Sequence, residues 1–522
     1  MPDTKRILWV DDEIDGLRSH ILFLENRGFD VRTAPNGEDA LAMILENGFD
    51  AVLLDEQMPG MRGMTVFQQI RDIHPRLPVV MVTKSEEEEL MDQAIGRRVD
   101  DYIVKPVNPN QVLSVLKRLL EGSQIRHQTI AQEFSRRYLE LEEERKVRNT
   151  WDGWVDLYRE LLTWELRLIE AGEVGLLESQ REIMKAAEAD FVRWVRRHYR
   201  EWVASRPEDR PPLSPDVVGR FVQPLLEASR DPVFFIIIDC LRLDQWMAIR
   251  DSLEPLFTVD EDFAGSILPS ATPYARNAIF SGWFPRAIAE RHPNLWVGDA
   301  DVEGSLNPHE QALLELQLRR KGLGDACPVQ YHKVFTAEEG MSALRKLPHC
   351  LQSRLSAFVF NFIDILTHGR SESEILLEIA PDPQAFRSLT RSWFLHSPLF
   401  QLLREASRHG VRVVLTTDHG SVHCLRPATV YARKDASQNL RYKFGMNIRA
   451  EEEGTAFRVL ELDQVGLPDL GTNVAALMAV EDYYFVYPTK LREYQNRYYG
   501  AFLHGSISLE ELILPVATLT PR

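Results

Sequence analysis

The chain is poor in cysteine, with 4 in 522 residues (Cys240, Cys327, Cys350 and Cys424) and no CxxC spacing. That excludes a disulfide framework and a thiolate zinc site. No apolar run approaches the roughly 20 residues that a bilayer crossing needs, so no membrane insertion is expected. The opening residues, MPDTKRILWVDDE, lack the long apolar core of a secretory signal, and the expectation is a cytoplasmic protein. Positive charge is in deficit: 61 Lys and Arg against 78 Asp and Glu leave a net charge of -17. Broad electrostatic binding to nucleic acid or an anionic membrane is disfavoured by that balance, although a local basic patch is compatible with it. Repeats, low-complexity tracts, Gly/Ser-rich linkers and a terminal helix-turn-helix are absent too. The last absence argues against the usual DNA-reading output.

What is present falls into three segments, more than one core can hold. Residues 1–121 alternate apolar runs (RILWV, DVRTA, AVLLD, PVVMVT, DYIVK) with amphipathic helical patterns. That rhythm predicts a flavodoxin-like, doubly wound parallel sheet. Residues 122–230 carry dense charge and five of the ten Trp, at 151, 154, 164, 194 and 202. Their spacing predicts a helical bundle with the Trp rings in its core, ended by RPPLSP at 210–215. A long helix is expected from about residue 108 toward 148, with Gly122 and Ser123 as its weak points. Residues 231–522 return to α/β alternation. PVFFIIIDC, AFVFNFID and VRVVLTTD are apolar runs ending in aspartate, as strands covered on both faces read.

In the first segment Asp11 and Asp12 follow the first strand, Asp55 ends the third, Thr83 the fourth and Lys105 the fifth. A parallel sheet brings these ends together. Three carboxylates held close repel unless a cation intervenes, and hard, oxygen-seeking Mg²⁺ fits. Asp55 is then the nucleophile toward a phosphoryl donor. Lys105 neutralises the growing charge and Thr83 hydrogen-bonds the phosphate. Pro106 after Lys105 suits a fixed, cis-type turn. Together with DEQMPGMRG, these residues resemble a response-regulator receiver domain over the first 120 or so positions. The resemblance implies that Asp12 binds Mg²⁺ directly, Asp11 through water and Gln57 through its backbone carbonyl. It also implies that a sensor histidine kinase phosphorylates Asp55 and that Tyr102 is an aromatic switch residue.

The third segment centres on TTDHGS at 416–421, where a buried strand delivers Asp418 and His419 side by side into a loop. An acidic and an imidazole ligand suit zinc. Asp239 ends FFIIID. Thr272 precedes Pro273 in TPYARNAIF, which reads as a helix with Thr at the N-cap and Pro at its first position. Asp364 and His368 lie one helical turn apart in FIDILTHG, and His504 sits in the loop AFLHGSIS. Two zinc ions against three carboxylates and neutral histidines leave one positive charge, which a Thr272 alkoxide would balance. A helix N-terminus favours that alkoxide and an incoming phosphate. Phosphoryl transfer to Thr272 by in-line displacement, then release by water, is the expected chemistry.

These residues resemble the alkaline phosphatase superfamily, in particular its PglZ branch, over residues 231–522. The resemblance implies an alkaline-phosphatase-like α/β/α fold. It also implies a first zinc on Asp239, Thr272, Asp418 and His419, and a second on Asp364, His368 and His504. A Thr nucleophile is the pattern of its diesterase-like members. No Arg pair is clearly placed to clamp a monoester, though Arg276 and Arg242 are nearby in sequence. Asn294 is expected to donate to a phosphoryl oxygen, and Arg441 and Lys443 in RYKFG read as a solvated loop.

Receiver, helical bundle and PglZ domain in this order resemble the PorX-like response regulators associated with type IX secretion. That implies a partner sensor kinase, a homodimer linked to phosphorylation or metal, and contacts with secretion machinery or a sigma factor. The leading expectation is a phosphorylation-controlled zinc phosphodiesterase acting on a phosphodiester such as a nucleotide or oligonucleotide. The alternative is a signalling adaptor or transcription regulator whose metal domain makes protein contacts. Thr272 as a nucleophile, and a second zinc with only three protein ligands, favour the enzyme.

Overall fold

The computed structural model of the protein describes residues 4–46, 48–74, 77–83, 99–297, 307–324, 327–370, 373–432 and 439–522, with only the backbone at 121–128, 370 and 374. Two compact units form, one from residues 1–137 and 166–177, the other from residues 138–165 and 178–522.

In the first unit the apolar runs become β1 (Arg6–Val10), β2 (Asp30–Ala34), β3 (Ala51–Asp55), β4 (Val79–Thr83) and β5 (Asp101–Val104). All pair in parallel, in the order β2-β1-β3-β4-β5. The pleat sends alternate residues to opposite faces. Ile7, Trp9, Leu53 and Val82 share one cluster with Leu24 of α1 (Arg18–Glu25). Leu8, Val10, Val52 and Leu54 share another with α2 (Gly37–Glu46) and α3 (Gly63–Ile73). Both faces being covered, β3 and β4 are buried along their whole length. Helix α4 (Pro109–Val147) opens on a proline, whose missing N–H costs nothing there, and runs unbroken through Gly122 and Ser123.

In the second unit the bundle Trp residues are core. Trp154 meets Phe191 edge-on, and Trp194 lies 4.9 Å from Trp202 between ring centroids, on α5 (Trp151–Ala171) and α6 (Val174–Ala204). A six-stranded sheet follows: β6 (Val233–Ile238), β7 (Phe257–Gly265), β8 (Val329–Val334), β9 (Leu355–Phe360), β10 (Arg412–Thr416) and the strand Ile513–Pro521. Strands β10, β6, β9 and β8 are parallel neighbours. Ile513–Pro521 pairs antiparallel with both β10 and β7. VFFIII of β6 is fully buried, the apolar run of a strand covered on both faces.

Two local expectations shift. AFVFNFID is not strand to its end: β9 stops at Phe360, and Asp364 lies in the first turn of α8 (Phe362–Arg370). Helix α7 (Thr272–Ser281) has Ala271 at its N-cap, so Thr272 is its first residue and Pro273 its second. The Thr272 hydroxyl does not cap its own helix because it is turned to His419 and Asp239 instead.

Candidate metal centre

Asp239 follows β6, Asp418 lies two residues past β10, and Asp364 stands one turn into α8 behind β9. Because β6 is flanked by β10 and β9, the three carboxylates meet at the carboxyl edge of the sheet. Two ligand clusters result. In the first, Thr272 Oγ1 is 3.0 Å from His419 Nε2 and 3.5 Å from Asp239 Oδ1. His419 Nε2 is in turn 3.7 Å from Asp239 Oδ1 and 3.7 Å from Asp418 Oδ2. In the second, Asp364 Oδ1 is 3.3 Å from His368 Nε2 and 3.5 Å from His504 Nε2, with the two nitrogens 3.1 Å apart. The rings of His419 and His504 stack at 4.2 Å, so the clusters adjoin.

These spacings fit zinc. Tetrahedral bonds of about 2.0–2.1 Å place ligand atoms about 3.3–3.4 Å apart. Asp418 Oδ2 is buried and accepts no hydrogen bond among the described residues, a costly state that a cation would relieve. His419 Nδ1–H donates to the Gly420 carbonyl at 3.0 Å, which leaves the Nε2 lone pair facing Thr272. Burial pushes His419 and His504 below the ordinary histidine range, keeping them neutral, as ligands must be. Burial also pushes Asp239 up to about 7, against the pull of Arg276, and raises Asp418. Burial works on Asp364 as well, but bonds from His368 and His504 outweigh it and hold this carboxyl well below the usual range.

Arg276, one turn after Thr272, is the residue that sequence reasoning undervalued. It is 3% exposed, donates through Nη1 to Asp239 Oδ2 (2.5 Å) and Asn361 Oδ1 (3.1 Å), and donates through Nε to Glu310. Its i, i+4 spacing from Thr272 was the available signal. Cys240, directly after Asp239, takes the left-handed conformation (φ 66°) that non-glycine residues seldom adopt, and its N–H points to Asp418 Oδ1 at 3.4 Å. Each histidine is followed by glycine (Gly369, Gly420, Gly505). At Gly420 a Cβ would meet the Glu510 carbonyl oxygen at 1.9 Å, and Gly505 has φ +122°.

Three residues lie elsewhere than expected: Asn294, Arg441 and Lys443. Asn294 is exposed on a short 3-10 turn, Pro293–Leu295, and is not brought to Thr272. Instead the buried Asn307 donates to the Thr272 carbonyl at 3.1 Å and to Asn277 at 3.2 Å. Arg242 is occupied by Asp244 through two bonds of 2.8 Å. Arg441 and Lys443 are no solvated loop: both are fully buried in and beside the strand Tyr442–Met446. Glu511 supplies the countercharge to Arg441, and the Lys443 ammonium lies 4.9 Å from the Tyr487 ring.

In the first unit the expected strand-end groups converge. Lys105 Nζ bridges Asp55 Oδ2 (2.7 Å) and Asp11 Oδ2 (3.1 Å), and the Gln57 N–H donates to Asp55 Oδ1 at 3.3 Å. Burial raises the Asp55 carboxyl against the opposing pull of Lys105. Burial would lower Lys105, but bonds to Asp55 and Asp11 raise it overall. Asp11, Asp12 and Asp55 form an all-oxygen cluster suited to Mg²⁺, with Asp12 exposed. Thr83 is buried at the end of β4, Tyr102 is half-buried on β5, and the Lys105–Pro106 bond is cis.

Residues 217–519 match the family described as the BREX system PglZ alkaline phosphatase-like domain. That is more than half of the chain, and the chain belongs to this family. Residues 7–117 match the response regulator receiver domain and residues 124–203 the PorX response regulator linker domain, so the three in order are those of a PorX-like response regulator. Transcriptional regulatory protein SrrA of Staphylococcus aureus is 36% identical over 121 residues, 23% of this chain and 50% of that protein. The chain thus spans about half the length of the curated relatives it matches. Among solved structures, a CheY-like receiver domain protein from Methanospirillum hungatei is 33% identical over 23% of this chain and 96% of that one (TM-score 0.22). The receiver domain of NtrX from Brucella abortus is 35% identical over 22% and 98% (TM-score 0.21).

Proposed function

We propose that this response regulator carries a zinc-dependent phosphodiesterase as its output, switched by phosphorylation of Asp55 by a sensor histidine kinase, and that it regulates type IX secretion. The receiver is read as ending near residue 121 and the hydrolase as beginning near 231, with a homodimer linked to phosphorylation or metal and the cytoplasm as its location. No described helix is long and apolar enough to cross a membrane. The observation that carries the reading is the Thr272 hydroxyl, 3.0 Å from a lone pair of His419 at the start of α7 and inside a ligand set with zinc spacing.

One zinc would be held by Asp239, Thr272, Asp418 and His419, the other by Asp364, His368 and His504; Asp11, Asp12, Asp55 and the Gln57 carbonyl would hold Mg²⁺. Bound zinc supplies Lewis acidity and lowers the pKa of the Thr272 hydroxyl. The Thr272 hydroxyl gives its proton to a water molecule, Oγ1 attacks phosphorus as the bond to the leaving alkoxide breaks, and that alkoxide takes the proton back from the water. A second water attacks the phosphothreonyl phosphorus and returns free Thr272. The backbone N–H groups at the start of α7 orient the anionic phosphoryl oxygens. Arg276 is engaged by Asp239 and Glu310, and Arg242 by Asp244, so neither is free to clamp the second charge of a monoester. That favours diesters such as cyclic nucleotides or oligonucleotides.

The test is turnover of bis-p-nitrophenyl phosphate and p-nitrophenyl phosphate by zinc-loaded wild type and Thr272→Val. Wild type should cleave the diester and the variant should not. A wild type with two zinc ions per chain that cleaves neither ester faster than the variant ends the hydrolase reading in favour of an adaptor.

A further inference from the structure

Helix α6 carries arginine at 193, 196, 197 and 200, the i, i+3, i+4, i+7 positions of one helical face. The other face is buried through Phe191, Val195, Tyr199 and Trp202. Like charges at this spacing repel one another along a helix, and a chain of net charge -17 has no need of them for solubility. Arg193 is paired with Asp190, which also holds Arg145. Arg196, Arg197 and Arg200 have no carboxylate partner among the described residues. The Arg196 guanidinium lies 5.4 Å from the Phe457 ring centroid, on the strand Ala456–Val459. The four arginines and Phe457 line a concavity of about 470 Å³.

We infer that this concavity binds a polyphosphate chain, carried by a nucleoside triphosphate or present as inorganic tripolyphosphate. Guanidinium forks take phosphate oxygens two at a time, and three unneutralised forks match the several charges of a triphosphate better than a single anion. The stripe is short, about 10 Å from Arg193 to Arg200 along the helix axis. It is bounded by Asp190 and Glu201. A longer polyanion such as a nucleic-acid strand would run onto those carboxylates, whereas a triphosphate fits between them. The ligand would span two matched regions, since the arginines lie in the linker match and Phe457 in the PglZ match. It would therefore tie α6 to a separate three-stranded sheet, in which Ala456–Val459 and Tyr442–Met446 flank Val474–Ala479, beside the buried Arg441 and Lys443, a point from which occupancy can bias the hydrolase.

The test uses the full-length protein in excess Mg²⁺ with mant-ATP, read by energy transfer from tryptophan, since Trp194 neighbours Arg193. Saturable binding should appear in wild type and be displaced by magnesium tripolyphosphate. In Arg197→Glu/Arg200→Glu it should weaken at least about ten-fold, with Arg197→Lys/Arg200→Lys between the two. Diester hydrolysis by both variants should stay at the wild-type level, which also proves them folded. Displacement by ATP alone would assign the nucleotide as the ligand, and equal displacement by tripolyphosphate the bare chain. Absence of saturable binding, or wild-type affinity in the Glu variant, overturns the inference. So does binding that an oligonucleotide displaces and tripolyphosphate does not.

Discussion

Arg276 Nη1 donates to Asp239 Oδ2 across 2.5 Å, one helical turn beyond Thr272 on the same helix. The helix of Thr272 thereby brings a countercharge to Asp239, fixing one carboxylate oxygen and leaving Oδ1 toward Thr272. Glu310 on the far side of the guanidinium also takes Lys333 Nζ at 3.2 Å. Arg276→Met would leave Asp239 and Glu310 buried beside no guanidinium. The expected result is a loss of about 3–5 kcal/mol in urea unfolding of metal-free protein, together with weakened zinc binding. A change below about 1 kcal/mol would mean that this pairing has no structural weight.

Asp364 is joined to His368 and His504, with no hydrogen bond or ion pair to the first cluster among the described residues, so its removal should strike the second cluster first. Asp364→Asn is expected to lower zinc from two ions per chain to one, measured by atomic emission, with far-UV circular dichroism unchanged. Diester hydrolysis should fall by about 100-fold or more. Retention of two ions by this variant would remove Asp364 from the ligand set.

Gly420 tests the loop that holds His419. An alanine Cβ would stand 1.9 Å from the Glu510 carbonyl oxygen, a backbone atom that cannot swing away. Gly420→Ala should cost about 1–3 kcal/mol by thermal unfolding and weaken zinc binding through displacement of the loop. Gly175→Ala on α6, where nothing lies within 4 Å, is the control and should be neutral or slightly stabilising.

Glu510 predicts a pH dependence. Burial pushes its carboxyl up to about 7, and Glu188 on α6 is raised well above its ordinary range by burial and by Glu510 itself. A carboxyl whose folded pKa is raised contributes stability below its unfolded pKa, near 4.5, and loses it as pH rises through the folded value. The Glu510 contribution to the urea midpoint should therefore fall between about pH 5 and pH 8. Glu510→Gln should flatten that slope; an unchanged slope would show that other groups set it.

Most parallel strands were readable as apolar runs with an acidic, hydroxyl or basic residue at the carboxyl end; β8, VQYHKV, carries polar residues within it and was not. Brought to one edge, those ends became the two groups of candidate ligands, and Asp364 and His368 needed only one helical turn to coincide. Long-range pairing was not readable. Arg276 and Arg441 look like surface charges until Glu310 and Glu511, 34 and 70 residues away, are placed beside them. Asn307 was missed for the same reason: nothing local distinguishes it from Asn294, which stays at the surface. The single-residue shift at Thr272 reflects a hydroxyl with two competing partners, its own helix and His419, and the tertiary one prevails.

The strand Ile513–Pro521 lies between β7 and β10 rather than at the margin of its sheet. During synthesis β6 and β7 are made some 250 residues before the segment that joins β7 to the rest, and the His504 loop emerges only just ahead of that segment. The receiver, built from local βα units, can fold on the ribosome, while the hydrolase must wait with open strand edges. Assembly of the candidate metal centre is therefore a late event in the life of the molecule. Any premature stop before residue 513 would leave a receiver able to draw on its phosphodonor without a complete PglZ domain attached to it.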